Sequence, residues 1–406
     1  MNKSLYIVAF SLAFATTGIA QNNEGQDKVI DLGTQTTTEL RKTQAVSTIY
    51  SDELDKNATT SPYNAIYGLL PGLSVMQNTS WGTDKSRLNV RGRGSLNGDT
   101  PLFVVDGFAR PLEYINLSEI ESISVLKDGA ATALWGGRGA NGVVLITTKR
   151  GIYSQKDIKV DYKFGLGFPV NQPEFADAYT YAKARNEALR YDGLQPDMDE
   201  ASFLSGGNSD LYPNVDWQKE MEQQALRTEI GVNVSGGGKT NQYYFSAGYL
   251  DDKGIALESG YQRFNLRSNI SSEITRWLRG GVNMSYAHSV QNYPVSSDTK
   301  TSNVINAGRL MADFYPMYEM NVDGTYKLDS EGHRIYDFGS YRPSGSMANW
   351  NLPATLPNDK SERMRDEFSG RTFLEVTPVE GLKFKTSFNF DLTDYNTLDY
   401  TNPKIG

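Results

Sequence analysis

The sequence predicts a small α/β plug domain followed by the first strands of a large antiparallel transmembrane β-barrel. Three observations point to it. Between Pro101 and Gly151, three short β-type runs (LFVVDG, ESISVLKD and GVVLITTK) enclose a small-residue helical stretch and a glycine-rich turn. From Asp157 onward, apolar and polar residues alternate with the two-residue period of strands that have one apolar face. The connections between those strands alternate between long and short, as expected when one set of turns is periplasmic and the other extracellular.

The α/β unit is read over residues 45–151. Val46 to Tyr50 is a strand. Ser61 caps a helix with Pro62 at its first position and Tyr63, Ile66, Tyr67 and Leu70 at helical spacing; Pro71-Gly72 ends it. Short strands follow at Leu73 to Gln77, Leu88 to Arg91, Leu102 to Val105, Ser122 to Leu126 and Val143 to Lys149. Asp106-Gly107 is a turn signal directly after a strand, and Asp128 is placed to cap a helix from Gly129 to Trp135.

The barrel part is read over residues 157–406, with about seven strands of roughly ten residues each, long enough to cross hydrocarbon at a tilt. Ile158, Val160, Tyr162, Phe164 and Leu166 alternate with Lys159, Asp161, Lys163 and Gly165, and the same rhythm recurs through Leu392. Long connections are expected at Pro169 to Leu226, which includes a helix from Glu174 to Arg190, and at Gln291 to Glu362. A medium loop spans Asp251 to Gly260, and short turns lie near Gly236 to Thr240, Ser272 to Arg276 and Pro378 to Gly381.

Composition narrows the chemistry. The 406-residue chain has 0 cysteines, which excludes disulfides, thiolate metal sites and cysteine nucleophiles. A net charge of −8 argues against general nucleic-acid binding. The 38% hydrophobic content, with 24 Tyr and 38 Gly, suits strands that are apolar on one side only. No run of about 18 apolar residues predicts a helical span. At the N-terminus, Lys3, the apolar stretch Leu5 to Ala15 and the small residues of Gly18-Ile19-Ala20 predict an export signal over residues 1–20, cleaved before Gln21. Residues 21–44 read as a flexible segment.

Other motifs carry little. Gly137 to Gly142 matches G-x-G-x-x-G, but a helix precedes it and a strand follows, the inverse of a dinucleotide site, so the glycines are read as a tight reversal. Asp323-Gly324 and Asp329 to Gly332 are read as loop turns. His288 and His333 join no metal or Ser/His/Asp constellation. No catalytic, cofactor or metal site is expected, and the chain is not read as an enzyme.

The motifs resemble the N-terminal part of the SusC/RagA family of TonB-dependent outer-membrane transporters. The resemblance rests on PLFVVDG and IESISVLKDGAATALWGGRGANGVVLITTKRG, on LLPGLSV (Leu69 to Val75) and RGRGS (Arg91 to Ser95), and on YPNVDWQ, VSGGGKTNQYYFSAGYLDDKGI and YQRFNLRSNI in the barrel part. It implies a plug inside a barrel of about 22 strands when complete, so this chain would be the front of a longer barrel. It also implies import of an oligosaccharide or peptide ligand with a SusD-like surface lipoprotein, in contact with outer-membrane lipid. A TonB–ExbB–ExbD energising complex would pull on a TonB box. Asp27, Lys28, Val29, Ile30, Asp31, Leu32 and Gly33 stand where that box lies, although Lys28 and Asp31 interrupt a run that is usually richer in valine. The plug signature falls on Asp106, Gly107, Lys127, Asp128, Gly136, Arg138, Gly139, Asn141 and Gly142. The alternative is a truncated or split receptor that binds ligand or signals without transport.

Overall fold

The computed structural model describes residues 29–31, 36–38 and 44–402, apart from 55, 57–58, 60, 77–85, 95–97, 113–114, 152, 155, 199–207, 210–211, 294–303, 322–324 and 340–349. The expected export signal lies outside the described residues, as do Asp27, Lys28, Leu32 and Gly33 of the expected box. Val29, Ile30 and Asp31 of that expected box form strand β1 (Val29–Asp31), which pairs antiparallel with β2 (Thr36–Thr38).

The α/β unit comprises β3 (Val46–Tyr50), α1 (Ser51–Leu54), α2 (Pro62–Ala65), β4 (Leu73–Met76), β5 (Arg87–Val90), β6 (Leu102–Val105), β7 (Phe108–Ala109), β8 (Ile120–Leu126), α3 (Gly129–Thr132) and β9 (Val143–Thr148). Five strands form one sheet in the order β3-β8-β9-β6-β7, with β6 and β9 parallel; β4 and β5 pair separately. Successive side chains go to opposite faces. Phe103, Val105, Ile123 and Val125 pack with Leu54, Tyr63, Ile66 and Leu88, whereas Val104, Leu126, Val143 and Leu145 pack with Ala131. With both faces covered, these strands read as continuous apolar runs rather than alternating ones.

Local expectations shift in two places. The helix expected from Pro62 through Leu70 is reduced to α2, and Ser61 makes no side-chain cap. Packing outweighs helix propensity there, since buried Asn64 accepts a hydrogen bond from the Ser86 hydroxyl and Ile66 enters the core. The helix expected from Gly129 to Trp135 is α3 continued by a 3₁₀ segment, Ala133–Gly139, kinked at Gly136.

The second sheet is antiparallel throughout. Its strands are β10 (Lys156–Gly167), β13 (Ala225–Gly237), β14 (Asn241–Lys253), β15 (Gly260–Thr275), β16 (Leu278–Asn292), β17 (Lys360–Val379) and β18 (Leu382–Tyr400), in that order. Between β10 and β13 lie α4 (Ala178–Tyr191), the two-residue strands β11 (Asn208–Ser209) and β12 (Tyr212–Pro213), and α5 (Trp217–Glu220). Between β16 and β17 lie α6 (Val304–Leu310) and α7 (Leu352–Thr355). The α4 helix starts at Ala178 rather than Glu174 because Asp177 caps it, accepting from the Thr180 N–H at 2.8 Å.

Register aligns the apolar positions into rows. Val160, Val232, Ala247, Leu266, Tyr286, Phe368 and Leu392 are cross-strand partners in one continuous line over seven strands. Short turns (238–240, 276–277, 380–381) lie at one end of the strands, and long or medium connections (168–224, 254–259, 293–359) lie at the other. The strands reach 20 residues in β17, beyond the ten or so that hydrocarbon alone requires.

Candidate functional site: the seam between plug and barrel wall

The wall's contribution to the seam comes chiefly from β15. Its pleat sends Phe264, Leu266 and Ile270 to one face and Arg263, Asn265, Arg267 and Asn269 to the other. The four polar residues are buried, and each bonds to the plug. The apolar set therefore faces outward.

Arg267 is central. Its guanidinium stands 3.2 Å from the Glu119 carboxylate and 3.4 Å from that of Asp106, and it donates to the Thr148 hydroxyl at 2.6 Å. Asn265 donates to Glu119 at 3.0 Å and accepts from Asn116 at 2.7 Å. Arg263 donates to the Asn116 side-chain oxygen at 2.8 Å, and Asn269 to the Lys149 carbonyl at 2.8 Å. From β17, Arg371 donates to the Asp106 backbone carbonyl. Arg110 of the plug donates to Ser369 at 2.7 Å and stands 3.3 Å from Asp391 of β18.

Asp106 reaches this network because of its turn. Asp106 and Gly107 connect β6 to β7 with φ of 49° and 90°, the double positive sign of a type I′ hairpin. Asp tolerates that region, and Gly107 occupies it without strain. The Asp106 carboxylate accepts from the Thr148 N–H at 3.1 Å and the Thr148 hydroxyl at 2.6 Å, and Arg150 lies 3.3 Å away. Burial pushes this carboxyl upward, but Arg267, Arg150 and the Thr148 bonds outweigh it and hold it below the usual carboxylate range. Asp106 is therefore an anion, buried with one counter-charge, Arg267, on the wall and another, Arg150, on the plug itself.

Of the other signature residues, Lys127, Asp128 and Asn141 tie separate segments of the plug together. Lys127 donates to the Ser47 hydroxyl at 2.6 Å and the Pro71 carbonyl at 2.9 Å. Asp128 caps α3, accepting from Ala131 N–H at 2.7 Å, and also accepts from Ala45 N–H at 2.6 Å, where the chain enters the plug. Two backbone hydrogen bonds satisfied by one carboxylate, that of Ala45 and then that of Ala131, lower its pKa. Gly139 is buried, Arg138 is exposed, and Asn141 donates to the Gly98 carbonyl at 3.1 Å. Gly142 takes φ 92° with Val90 packed against it; a Cβ there would sit 2.8 Å from that side chain. The G-x-G-x-x-G run thus joins a helix to strand β9, as its order in the sequence predicts.

Sequence reasoning picked out Asp106 but missed Glu119, Arg110, Arg267 and Arg371. The available signal was a carboxylate at the head of the apolar strand β8, together with three arginines and two asparagines on the polar face of two strands. Elsewhere, Asp329 accepts from the Glu331 and His333 N–H groups within a loop turn, and Asp323-Gly324 lies outside the described residues. His288 stands 2.9 Å from Asp366.

Comparison with known proteins bears on this geometry. Residues 38–143 match the TonB-dependent receptor plug domain model. The TonB-dependent receptor P3 of Formosa agariphila is 29% identical over 90% of this chain and 34% of its own length. SusC of Bacteroides thetaiotaomicron is 31% identical over 68% of this chain and 27% of its own. The structure of the RagAB peptide importer in its open-open state superposes with a TM-score of 0.72 at 25% identity, covering 91% of this chain and 43% of that one. The chain thus spans about a third of the length of the curated relatives it matches. A plug domain model, SusC-type relatives and a RagA-like arrangement of plug and strands converge: the chain belongs to the TonB-dependent receptors of the SusC/RagA type.

Proposed function

We propose that this chain carries the plug and first wall strands of an importer that takes oligosaccharides or peptides from a SusD-like surface lipoprotein into the periplasm. In this reading the chain is exported by a signal over residues 1–20 and resides in the outer membrane. Residues 27–33 form the box on which a TonB–ExbB–ExbD complex pulls, an extended segment suited to strand addition. The observation that carries the reading is the seam. Ion pairs and hydrogen bonds, rather than interdigitated apolar side chains, join Asp106, Asn116 and Glu119 to the wall. Polar contacts of this kind hold a plug in place, and water can replace them one by one when it is pulled.

Uptake of a labelled oligosaccharide mixture and of labelled peptides by cells expressing the full-length receptor tests the reading. Accumulation of either cargo, lost when residues 27–33 are deleted or TonB is absent, is the expected result. Surface binding without accumulation of either cargo would favour the receptor that binds or signals only.

A further inference from the structure

The outward face of the wall holds a feature that import does not use. Most outward positions in the apolar rows carry large side chains, but Ala247 and Ser268, on neighbouring strands, do not. Together they form the floor of an open recess of about 420 Å³, walled by Val232, Phe245, Met284 and Phe368. Tyr286 also lines the recess, and its hydroxyl donates to Asp366 at 2.6 Å. His288 Nδ1 lies 2.9 Å from the same carboxylate oxygen. Phe264, His288, Asp366 and Asp394 are cross-strand partners, so this polar cluster occupies the row directly beyond Leu266, Tyr286, Phe368 and Leu392. It lies toward the ends of β16 and β17 that open into the long 293–359 connection, which is the extracellular end of the barrel.

We propose that this face binds one outer-leaflet lipid, with an acyl chain in the recess over Ala247 and Ser268 and the polar head at the Tyr286–His288–Asp366 cluster. The site rests on the reading of the chain as an outer-membrane receptor. The recess is continuous with the apolar belt and is open only toward the membrane, so its occupant is hydrocarbon. An acyl chain lying in it meets the small residues Ala247 and Ser268 and the larger Phe245, Met284 and Phe368 around them. At the head, Asp366 accepts from Tyr286 and orients the imidazole through Nδ1, which leaves Nε2 of the 41% exposed His288 side chain for a hydroxyl of the lipid. The carboxylates of Asp366 and Asp394 in this row are acceptors for hydroxyl donors, and the hydroxyl-rich head of an outer-leaflet saccharolipid provides such donors.

The full-length receptor, purified from outer membranes in mild detergent, is incubated separately with rough lipopolysaccharide and with phosphatidylethanolamine, and retained lipid is counted by native mass spectrometry. One lipopolysaccharide per receptor is expected. Ala247→Phe and Ser268→Leu, which fill the recess from two strands, are each expected to lower retention at least tenfold, and His288→Ala severalfold, with the heat-dependent gel mobility of a folded barrel unchanged. Equal retention by the filled variants overturns the recess, and equal retention of phosphatidylethanolamine overturns the outer-leaflet assignment. A wild-type receptor found outside the outer membrane would instead sink the underlying reading, by fractionation and independently of lipid retention.

Discussion

The Arg267 guanidinium on the wall stands 3.2 Å from the Glu119 carboxylate of the plug, 148 residues earlier in the chain, with side chains only 6% and 4% exposed. Neither group has water to fall back on. Arg267→Met should therefore leave Glu119 and Asp106 short of a partner and destabilise the seated plug by about 3–5 kcal/mol. The double change Arg267→Met/Glu119→Met should recover part of that loss. Urea titration of the refolded receptor, followed by protease cleavage within the plug, reads both effects. Equal damage in the single and double variants would mean that the pair is not coupled.

The same seam should be acid-sensitive. Asp106 is held below its ordinary value of 3.8. A carboxyl whose folded pKa is depressed contributes stability that is fully present above its unfolded value and is lost as pH falls through the folded one. The seam should thus stay shut at neutral pH and loosen only below about pH 4. Hydrogen exchange at the Thr148 amide, which donates to Asp106, follows this directly. Asp106→Asn should flatten the acid response while weakening the seam at neutral pH, and loosening centred between pH 5 and 8 would implicate another group.

Asp128 links the point where the chain enters the plug to helix α3 through one carboxylate. Asp128→Ala removes a helix cap together with the bond to Ala45, a loss of about 1–2 kcal/mol. Faster exchange at both Ala45 and Ala131 is expected, whereas β9 amides should keep their protection. Acceleration at Ala131 alone would show that the Ala45 bond contributes nothing.

How far these features could be read from sequence follows from their range. Period-two alternation places Arg263, Asn265, Arg267 and Asn269 on one strand face, because the pleat is a local property. It does not reveal that Glu119 lies across from them, since that depends on how the plug sits in the wall. Asp128 was legible as a cap because its partner is three residues away, but its bond to Ala45 was not. Pro62 marked a helix start correctly, yet the stop was misplaced: the chain leaves helical geometry at Ile66 and turns through Gly68 at φ 72°. The small helices α5, α6 and α7 escaped notice because they carry too few residues to show a period.

Three strand glycines lie directly opposite an aromatic residue: Gly236 faces Tyr243, Gly281 faces Phe373, and Gly370 faces Phe390. In each case the ring lies over the glycine, in the space a Cβ would need. Gly370→Val should force the Phe390 ring aside and cost about 1–3 kcal/mol. Adding Phe390→Ala should remove most of that penalty relative to Phe390→Ala alone. The temperature at which the folded barrel loses its compact gel mobility measures it; an unchanged temperature in Gly370→Val would show that the ring moves freely.

Trp217 joins the two longest connections. It is fully buried among Met221, Val304, Ala307, Met311, Leu352 and Leu356, and its indole N–H donates to the Tyr315 carbonyl at 3.2 Å. Residues from 168–224 and from 293–359 thus share one apolar core above the strands. Trp217→Ala should cost that core about 3–5 kcal/mol. The strands hold one another through their own ladders, so the loss should stay local. Protease should cleave within 293–359 far sooner, while the heat-dependent gel mobility of the barrel stays as in the wild type. Loss of both together would mean that this loop core supports the wall as well as joining the loops.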